Sequence, residues 1–251
     1  MAVATKVYQY TRPLLYPKQE AAIFDPARIS ILEASTKSGK SVAALVWLAE
    51  QAMTTREGVA NPGYTWVAPV YRQAEDIGYE GMLGAFPQGM LEGNRGRLTL
   101  TLPNGAIMTF RSGENPDNLY GFAAYAAVID EASRLREESW HAVRTTLSAT
   151  QGPIRIIGNV RGRKNWFYKL ARRAEAGEPG MAYHCITAYD AIQAGVLSAE
   201  DVEEAKRVLP KEAFDELYMA QATDSGANPF GQGHIDACTV AALSEGKPVT
   251  W

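Results

Sequence analysis

One short segment constrains the fold of this chain more than any other, because an apolar run, a polar loop and an apolar helical stretch follow one another directly. Residues 29–32 predict a buried strand, and residues 42–52 predict a helix. The loop between them reads Ser-Thr-Lys-Ser-Gly-Lys-Ser. Such a loop between a strand and a helix N-terminus is typical of parallel α/β sheets, in which helices connect successive strands.

This loop has the chemistry of a phosphate-binding site. Backbone N–H groups at a helix N-terminus attract anions, and Gly39 allows a phosphate to approach the backbone closely. We expect Lys40 to supply a positive charge and the Ser41 hydroxyl to bind Mg²⁺. The pattern G-x-x-x-x-G-K-[ST] is met at its last three positions, whereas its first glycine is Ala34 here. The residues expected to bind the nucleotide in this loop are Ser35, Thr36, Lys37, Ser38, Gly39, Lys40, Ser41 and Val42.

A second segment supplies two carboxylates. Residues 123–129 are almost wholly apolar and predict a buried parallel strand, and Asp130 and Glu131 follow it directly. Ligands of open α/β sheets bind at the carboxyl ends of strands. We expect Asp130 to hold Mg²⁺, and Glu131 to orient and polarise the water that attacks the γ-phosphate. Two acids alone can equally be solvated or form a helix N-cap, but together with Lys40 they indicate an ATPase.

Composition limits the remaining possibilities. A chain of 251 residues can bury one substantial core, or a core with a small appended subdomain. Its net charge of −3 means that contact with nucleic acid has to come from local basic patches. The two cysteines lack paired spacing, which favours a reducing compartment and no metal site, and the three histidines share no ligand spacing. No apolar run approaches the roughly 20 residues of a membrane span, so we expect a soluble intracellular protein without a membrane partner.

Strand and helix signals alternate along the next part of the chain. Apolar runs at residues 64–69 and 153–158 predict strands, and residues 137–149 predict a helix. This alternation favours a mainly parallel central sheet with helices on both faces. Together with the phosphate loop, it predicts a three-layer α/β fold of the P-loop nucleoside triphosphatase class (ASCE/RecA-like).

Two additions to this sheet are predicted. Residues 98–110 alternate between apolar and polar on both sides of Asn104-Gly105, which predicts an antiparallel hairpin with a two-residue turn. Beyond residue 165 the chain becomes basic and mostly helical, which indicates a small C-terminal lid. The predicted division is a P-loop ATPase core at 1–164, a lid subdomain at 165–222 and a linker or tail at 223–251.

Several further segments occur in an order that resembles the ATPase domain of the large terminase subunit, the motor that packages DNA into the capsids of tailed bacteriophages. The resemblance extends over most of residues 14–220. The segments that carry it are Tyr16-Pro17-Lys18-Gln19, residues 67–74, residues 102–105 leading to Phe110-Arg111-Ser112, Leu119-Tyr120-Gly121, Gly158-Asn159 with Gly162, and residues 165–168.

The resemblance implies roles for two further residues and a set of partners. Gln19 would read the adenine edge, because a side-chain amide can donate to and accept from the base. Asn159 would sense the γ-phosphate and relay its loss to the lid. The implied cofactors are ATP and Mg²⁺. The implied partners are double-stranded DNA, the portal protein, the small terminase subunit and further copies in a ring on the capsid, with a monomeric isolated domain in the host cytoplasm.

The chain departs from the family pattern in its charged residues. Large terminases generally carry a basic residue, often arginine, inside the phosphate loop, and the nearest candidate here is Lys37, one position away. The position before Gly121 is often an arginine that reaches a neighbouring subunit, whereas this chain has Tyr120, which cannot neutralise phosphoryl charge. Few acids follow Thr223, so we expect no nuclease. The candidates for the missing trans-acting charge are Arg111, Arg134 and Arg136.

A basic patch offers a surface for DNA. Six basic residues lie between positions 161 and 173, and an aromatic run at 166–168 interrupts them. We expect Arg161, Arg163 and Lys164 to contact DNA phosphates or a neighbouring subunit, and the aromatic residues to face the core. Two alternatives remain at this stage: a fragment of a two-domain helicase, and an assembly module in which bound nucleotide sets oligomer shape with little hydrolysis.

Overall fold

A computed structural model describes residues 8–223 as an α/β fold around one eight-stranded sheet. The strands, in chain order, are β1 (Ile29–Ala34), β2 (Gly63–Ala68), β3 (Glu92–Asn94), β4 (Thr99–Thr101), β5 (Ile107–Ser112), β6 (Ala126–Ile129), β7 (Ile154–Gly158) and β8 (Met181–Ile186). They are arranged in the order β3-β4-β5-β2-β6-β7-β1-β8. The pairs from β5 to β8 are parallel and β4 pairs antiparallel with β5, as the sequence predicts. The short β3, which the sequence did not indicate, pairs antiparallel with β4.

Helices connect the strands and cover both faces of the sheet. Those described are α1 (Pro17–Ile23), α2 (Lys40–Met53), α3 (Tyr71–Gln73), α4 (Glu80–Ala85), α5 (Glu137–Thr146), α6 (Trp166–Glu175), α7 (Ala188–Gln193), α8 (Ala199–Val208) and α9 (Lys211–Tyr218). A π-helical segment, Ala74–Tyr79, joins α3 to α4, and short 3-10 helices occupy Pro116–Leu119 and Ala132–Arg134.

Two hydrophobic cores make this a three-layer structure. Side chains of β1 alternate between them: Leu32 packs with α2 on one face, and Ile31 packs with α5 and α6 on the other. Trp47 of α2 and Phe167 of α6 are fully buried in these two cores. The predicted three-layer α/β class is therefore confirmed. Trp166 and Phe167 of α6 lie in the core as expected, whereas Tyr168 is half-buried outside it.

The hairpin is confirmed, but the predicted two-residue turn is wrong. Gly105 has a φ of 83°, whereas Asn104 does not adopt a positive φ. The N–H of Gly105 donates to the carbonyl of Leu102, and the N–H of Leu102 donates to the carbonyl of Ala106. This is a turn around Pro103 and Asn104 followed by a left-handed glycine. Pro103 has a fixed φ that suits the first central position of this turn. The loop therefore has three residues, one more than predicted.

The helices that pack apart from the two main cores begin at Ala188, later than the predicted residue 165. The sheet includes β8, which pairs with β1, and α6 packs against the core through Leu170. A third hydrophobic cluster, which we call the lid cluster, joins α7, α8 and α9 around Ala188, Val202 and Phe214. The division at residue 164 stays a prediction. Most of the predicted tail, from residue 224 onward, lies outside the described residues.

Neither a membrane-spanning helix nor a cluster of metal ligands occurs within residues 8–223. No helix in this range is both long enough and apolar enough to cross a bilayer. The same residues include no group of three or more His, Cys, Asp or Glu side chains placed to hold a metal ion.

Candidate active site

Three neighbouring strands bring the predicted site residues together. The order β6-β7-β1 places the carboxyl ends of these parallel strands side by side. The phosphate loop follows β1, the acidic pair follows β6, and Asn159 follows β7. A Cβ at Gly158 would lie 3.0 Å from the backbone nitrogen of Ala132, so this glycine allows the acidic turn to lie close to β7.

The phosphate loop is held in a defined conformation before α2 begins. Lys37 and Gly39 have positive φ values of 56° and 77°. The Ser38 hydroxyl donates to the carbonyl of Ser35 (2.8 Å), which closes the loop on itself. A Cβ at Gly39 would come within 2.4 Å of Gln19 Nε2, so backbone conformation and packing both require glycine here.

Lys40 links the other two strands through its ammonium group. Its Nζ lies 3.1 Å from Glu131 Oε1 and donates to Asn159 Oδ1 at 3.0 Å. The residue is only 6% exposed, so these contacts replace water as partners for its charge. The loop cation, the second acid of the strand end and the amide proposed as a sensor therefore form one connected group.

Asp130 and Ser41 meet at the base of this group. Asp130 is 2% exposed; its carboxylate accepts from the Glu131 backbone N–H (2.9 Å) and lies beside the Ser41 hydroxyl, which favours its charged form. Burial, and then the nearby charge of Glu131, raise the pKa of Asp130 to about 6, against the lowering effect of Lys40. A buried carboxylate beside a hydroxyl is a pair of hard oxygen donors, and these residues fit the requirements of Mg²⁺.

Gln19 lies behind the phosphate loop. It is 4% exposed; its Nε2 donates to the Ser38 carbonyl (3.0 Å), and its Oε1 accepts from the backbone N–H of Tyr16 (3.2 Å). The Tyr16 hydroxyl donates to the same Ser38 carbonyl at 2.9 Å. These contacts support the loop directly, while the reading of adenine by Gln19 stays a prediction.

Backbone groups of the lid also reach the loop, which the sequence did not indicate. The Leu217 carbonyl accepts from the backbone N–H of Thr36 (2.7 Å) and from Asn159 Nδ2 (3.3 Å). Nearby, the Glu216 carboxylate accepts from the backbone N–H of Gly162 (2.9 Å). No sequence motif predicts such contacts, because every residue has a backbone carbonyl and the fold alone decides which group it accepts from.

The candidate arginines differ in accessibility. Arg111 is half-buried, with its guanidinium 4.1 Å from the ring centre of Phe122, and burial lowers its pKa. Arg134 and Arg136, near the acidic pair, are exposed. The exposed residues of the loop after β7 are Arg161, Arg163 and Lys164, and the Arg163 guanidinium donates to the Ala222 carbonyl at 3.4 Å.

Comparison with known proteins decides the family. Residues 31–235 match the family described as "Terminase large subunit, T4likevirus-type, N-terminal". The chain belongs to this family. Its curated relatives include the large terminase subunits of Thermus virus P23-45 and Thermus phage G20c, each 33% identical over 157 residues. These alignments cover 53% of this chain and 31% of each relative, so this terminase chain spans about a third of their length.

Solved terminase structures share the fold. The large terminase ATPase domain of Thermus phage P74-26 is 22% identical, with a TM-score of 0.71 over 84% of this chain and 94% of that one. The HK97 large terminase is 19% identical, with a TM-score of 0.68 over 84% of this chain and 51% of that one. A large terminase from a thermophilic bacteriophage, solved in complex with ADP, is 15% identical, with a TM-score of 0.66 over 82% and 53% of the two chains.

Proposed function

We propose that this terminase chain binds ATP and hydrolyses it with Mg²⁺ at the edge formed by β6, β7 and β1. One observation carries the proposal: Lys40 contacts both Glu131 and Asn159 within 3.1 Å. A loop cation, a carboxylate for the water and a polar sensor are the groups that phosphoryl transfer requires. The chain supplies all three from adjacent strand ends.

Binding would exchange the partners of Lys40. The N–H groups of the phosphate loop bind the phosphates, and Lys40 moves from Glu131 to the phosphate oxygens. The Glu131 carboxylate is then free to orient the attacking water and accept its proton. Ser41 and Asp130 would hold Mg²⁺, which when bound neutralises charge on the phosphates.

Asn159 is proposed to couple the nucleotide to the lid. In the structure its Oδ1 accepts from Lys40, and its Nδ2 donates to the carbonyl of Leu217. The same carbonyl accepts from Thr36 in the phosphate loop. When Lys40 moves to a phosphate, Asn159 loses its contact with Lys40. Its remaining bond to the Leu217 carbonyl then links this change to the position of α9.

Two variants test hydrolysis separately from binding. Glu131→Gln keeps the side-chain shape and should bind ATP while losing about 10²–10⁴-fold in ADP production, because general-base catalysis contributes that much. Lys40→Ala should lose both binding and turnover. Calorimetry with ATP and Mg²⁺, followed by product analysis, distinguishes the outcomes. Full ADP production by Glu131→Gln contradicts the assignment, whereas binding without turnover by the wild-type chain at any concentration favours the assembly module.

We further propose that hydrolysis drives translocation of double-stranded DNA into a procapsid, with the portal protein, the small terminase subunit and further copies as partners. Family membership supports this, as do the exposed basic residues after β7. Reversing the charge of Arg161, Arg163 and Lys164 together should abolish DNA stimulation of the ATPase. Reversal of Lys206 and Arg207 on α8 is the matched control. Unchanged stimulation in the first variant contradicts this contact.

The trans-acting charge is proposed to come from Arg134 or Arg136 rather than from Arg111. Both are exposed, whereas Phe122 covers the Arg111 guanidinium. Mixing each Arg→Ala variant with the inactive Lys40→Ala chain tests this. The Lys40→Ala chain still carries every arginine, so it restores turnover at a neighbour's site only where the missing arginine acts in trans. We expect such a rescue for Arg134→Ala or Arg136→Ala, and rescue of Arg111→Ala alone would reverse the assignment.

A further inference from the structure

A pocket of about 500 Å³ lies at the edge of the sheet opposite the nucleotide site. Ile29 and Met181, the first residues of β1 and β8, form part of its lining, and the strands run from there toward the phosphate loop. Side chains of α5 and α6, together with Arg28 and residues 178–180, form the rest of the lining. Its volume falls in the range of about 300–1,000 Å³ that is usual for ligand sites. Neither the proposed hydrolysis nor the lid uses it.

The rim of this pocket is positively charged. Among the described residues, its lining includes Arg28, Arg144 and Arg173 but only one acid, Glu178. Arg173 forms a two-point ion pair with Glu178, with N–O distances of 2.6 and 2.7 Å. Within the described part of the chain, that pairing leaves the charges of two arginines uncompensated at the rim, although the net charge of the whole sequence is negative.

Neither of these two arginines has a carboxylate partner in the described part of the chain. Among residues 8–223, the Arg28 guanidinium donates only to backbone carbonyls, those of Gly152 (3.3 Å) and Leu147 (3.5 Å). The Arg144 side chain is exposed and forms no hydrogen bond or ion pair with residues 8–223. His141 on the same rim lies 3.9 Å from Glu137 and adds positive charge only when protonated.

The floor of the pocket is apolar. Half-buried Met181 forms this floor, with small exposed parts of Trp140 and Leu170, which are only 7% and 5% exposed. An occupant that removes water from this floor gains roughly 25 cal/mol for each Å² of apolar surface buried. The guanidinium groups at the rim suit a carboxylate, which they can bind through two parallel hydrogen bonds. The pocket therefore combines an apolar anchor point with an anion site.

We propose that this pocket binds an acidic segment of a partner protein, which places one apolar side chain on the floor and a carboxylate against Arg28 and Arg144. A DNA backbone offers phosphates but no apolar group for the floor. A mononucleotide offers both, yet the side chains of Leu170 and Met181 present no flat face for a base, and Trp140 is covered. Peptide chemistry meets both requirements together.

A peptide titration tests this proposal. The probe is a fluorescein-labelled peptide Asp-Glu-Leu-Phe-Asp-Glu, followed by anisotropy and by amide shifts of the chain. We expect saturable binding that moves the Trp140 indole N–H and the Gly180 N–H while leaving the Gly39 N–H in place. Peptides with Asn-Gln in place of the acids, or Ser-Ser in place of Leu-Phe, should bind at least about tenfold more weakly.

Variants and competing probes complete the test. Arg144→Glu should weaken peptide binding about tenfold or more, and folding is preserved because this side chain is exposed and has no partner among residues 8–223. Arg207→Glu on α8 is the matched control and should bind as the wild type does. ATP and a 20-base-pair duplex are titrated in parallel. The proposal is overturned if the peptide does not saturate, if Arg144→Glu binds it equally well, or if ATP or the duplex binds this pocket more tightly than the peptide.

Discussion

Asp130 and Glu33 are both buried carboxylates at the end of a central strand, yet their surroundings differ. Glu33, on β1, accepts at its Oε2 from the Arg172 guanidinium of α6 and from the Tyr183 hydroxyl of β8. Asp130 follows β6 and faces α2, where it meets Ser41 and lies close to Glu131. The protein pairs one oxygen of the first acid, Oε2, with its own side chains. It places a second acid beside the other, which is an arrangement suited to a bound cation.

This contrast shows that the partners of a buried acid indicate its role better than its burial does. Burial is the largest influence on both pKa values, raising that of Glu33 to about 7 and that of Asp130 to about 6. The next influences differ in sign: the hydrogen bond from Tyr183 lowers the pKa of Glu33, whereas the charge of Glu131 raises that of Asp130 further. We therefore expect Glu33 to stabilise the packing of α6 and Asp130 to bind a ligand.

The largest expected effect separates the two acids by activity. Asp130→Asn should lower Mg²⁺-dependent ATP turnover by about 10²-fold or more, because it removes a metal ligand worth several kcal/mol in the transition state. Glu33→Gln should keep most of the wild-type turnover. Steady-state ADP release by both variants, in the same buffer, is the measurement. Equal losses in the two variants would remove the distinction.

The second effect concerns stability around Glu33. Arg172→Ala leaves the Glu33 carboxylate buried without its cation. Removing one partner of a buried ion pair typically costs about 3–5 kcal/mol in unfolding free energy. We expect about 3 kcal/mol here, because Arg172 is partly exposed. Arg173→Ala, next in sequence and ion-paired at the surface, should cost under about 1 kcal/mol. Urea unfolding of the two variants makes the comparison. Similar values for both would show that the Glu33 contact is not a buried one.

The third effect is a pH dependence without nucleotide. A folded pKa above the unfolded value gives stability that is complete below the unfolded pKa and is lost as pH rises through the folded one. For Asp130 this window runs from the ordinary pKa of 3.8 to about 6. Asp130→Asn should therefore gain stability relative to the wild type between pH 4 and pH 6, on the order of 2 kcal/mol. If the urea midpoints of the wild type and Asp130→Asn differ by the same amount at every pH in this range, the raised pKa of Asp130 is refuted.

The smallest effect removes a single donor. Tyr183→Phe deletes the hydroxyl that donates to Glu33 at 2.8 Å. We expect a loss of about 1 kcal/mol in unfolding free energy, typical of one hydrogen bond, with turnover unchanged. Thermal unfolding and ADP release measure the two quantities. A change in turnover without a change in stability would assign Glu33 to the nucleotide site after all.

Much of the nucleotide edge was predictable from the sequence because its signals are local. The loop at 35–41 lies between a strand and a helix that each carry their own apolar pattern, and Asp130 ends an apolar run. Parallel pairing then brings such strand ends to one edge without further information. The same logic predicted the three layers, since strand and helix signals alternate through residues 29–158.

Other parts depend on contacts that no local pattern records. The sequence assigned residues 165–222 to a mostly helical lid, whereas β8, within that range, pairs with β1, about 150 positions earlier in the chain. Its side chains are mostly half-buried, so neither alternation nor a fully apolar run marks it as a sheet strand. The sequence also did not predict the hydrogen bonds of Arg172 and Tyr183 to Glu33, or those of the Leu217 carbonyl at the phosphate loop. These contacts join residues that are far apart in the sequence.

Hydrolysis at a single edge of the sheet is the central claim, and turnover measured against chain concentration tests it most directly. The wild-type chain, Lys40→Ala and Glu131→Ala would be compared over a wide concentration range with Mg²⁺ and with EDTA. We expect wild-type turnover per chain to rise with concentration, as a neighbour completes the site, and to vanish in both variants and in EDTA. Turnover that persists in Lys40→Ala and Glu131→Ala would contradict the claim.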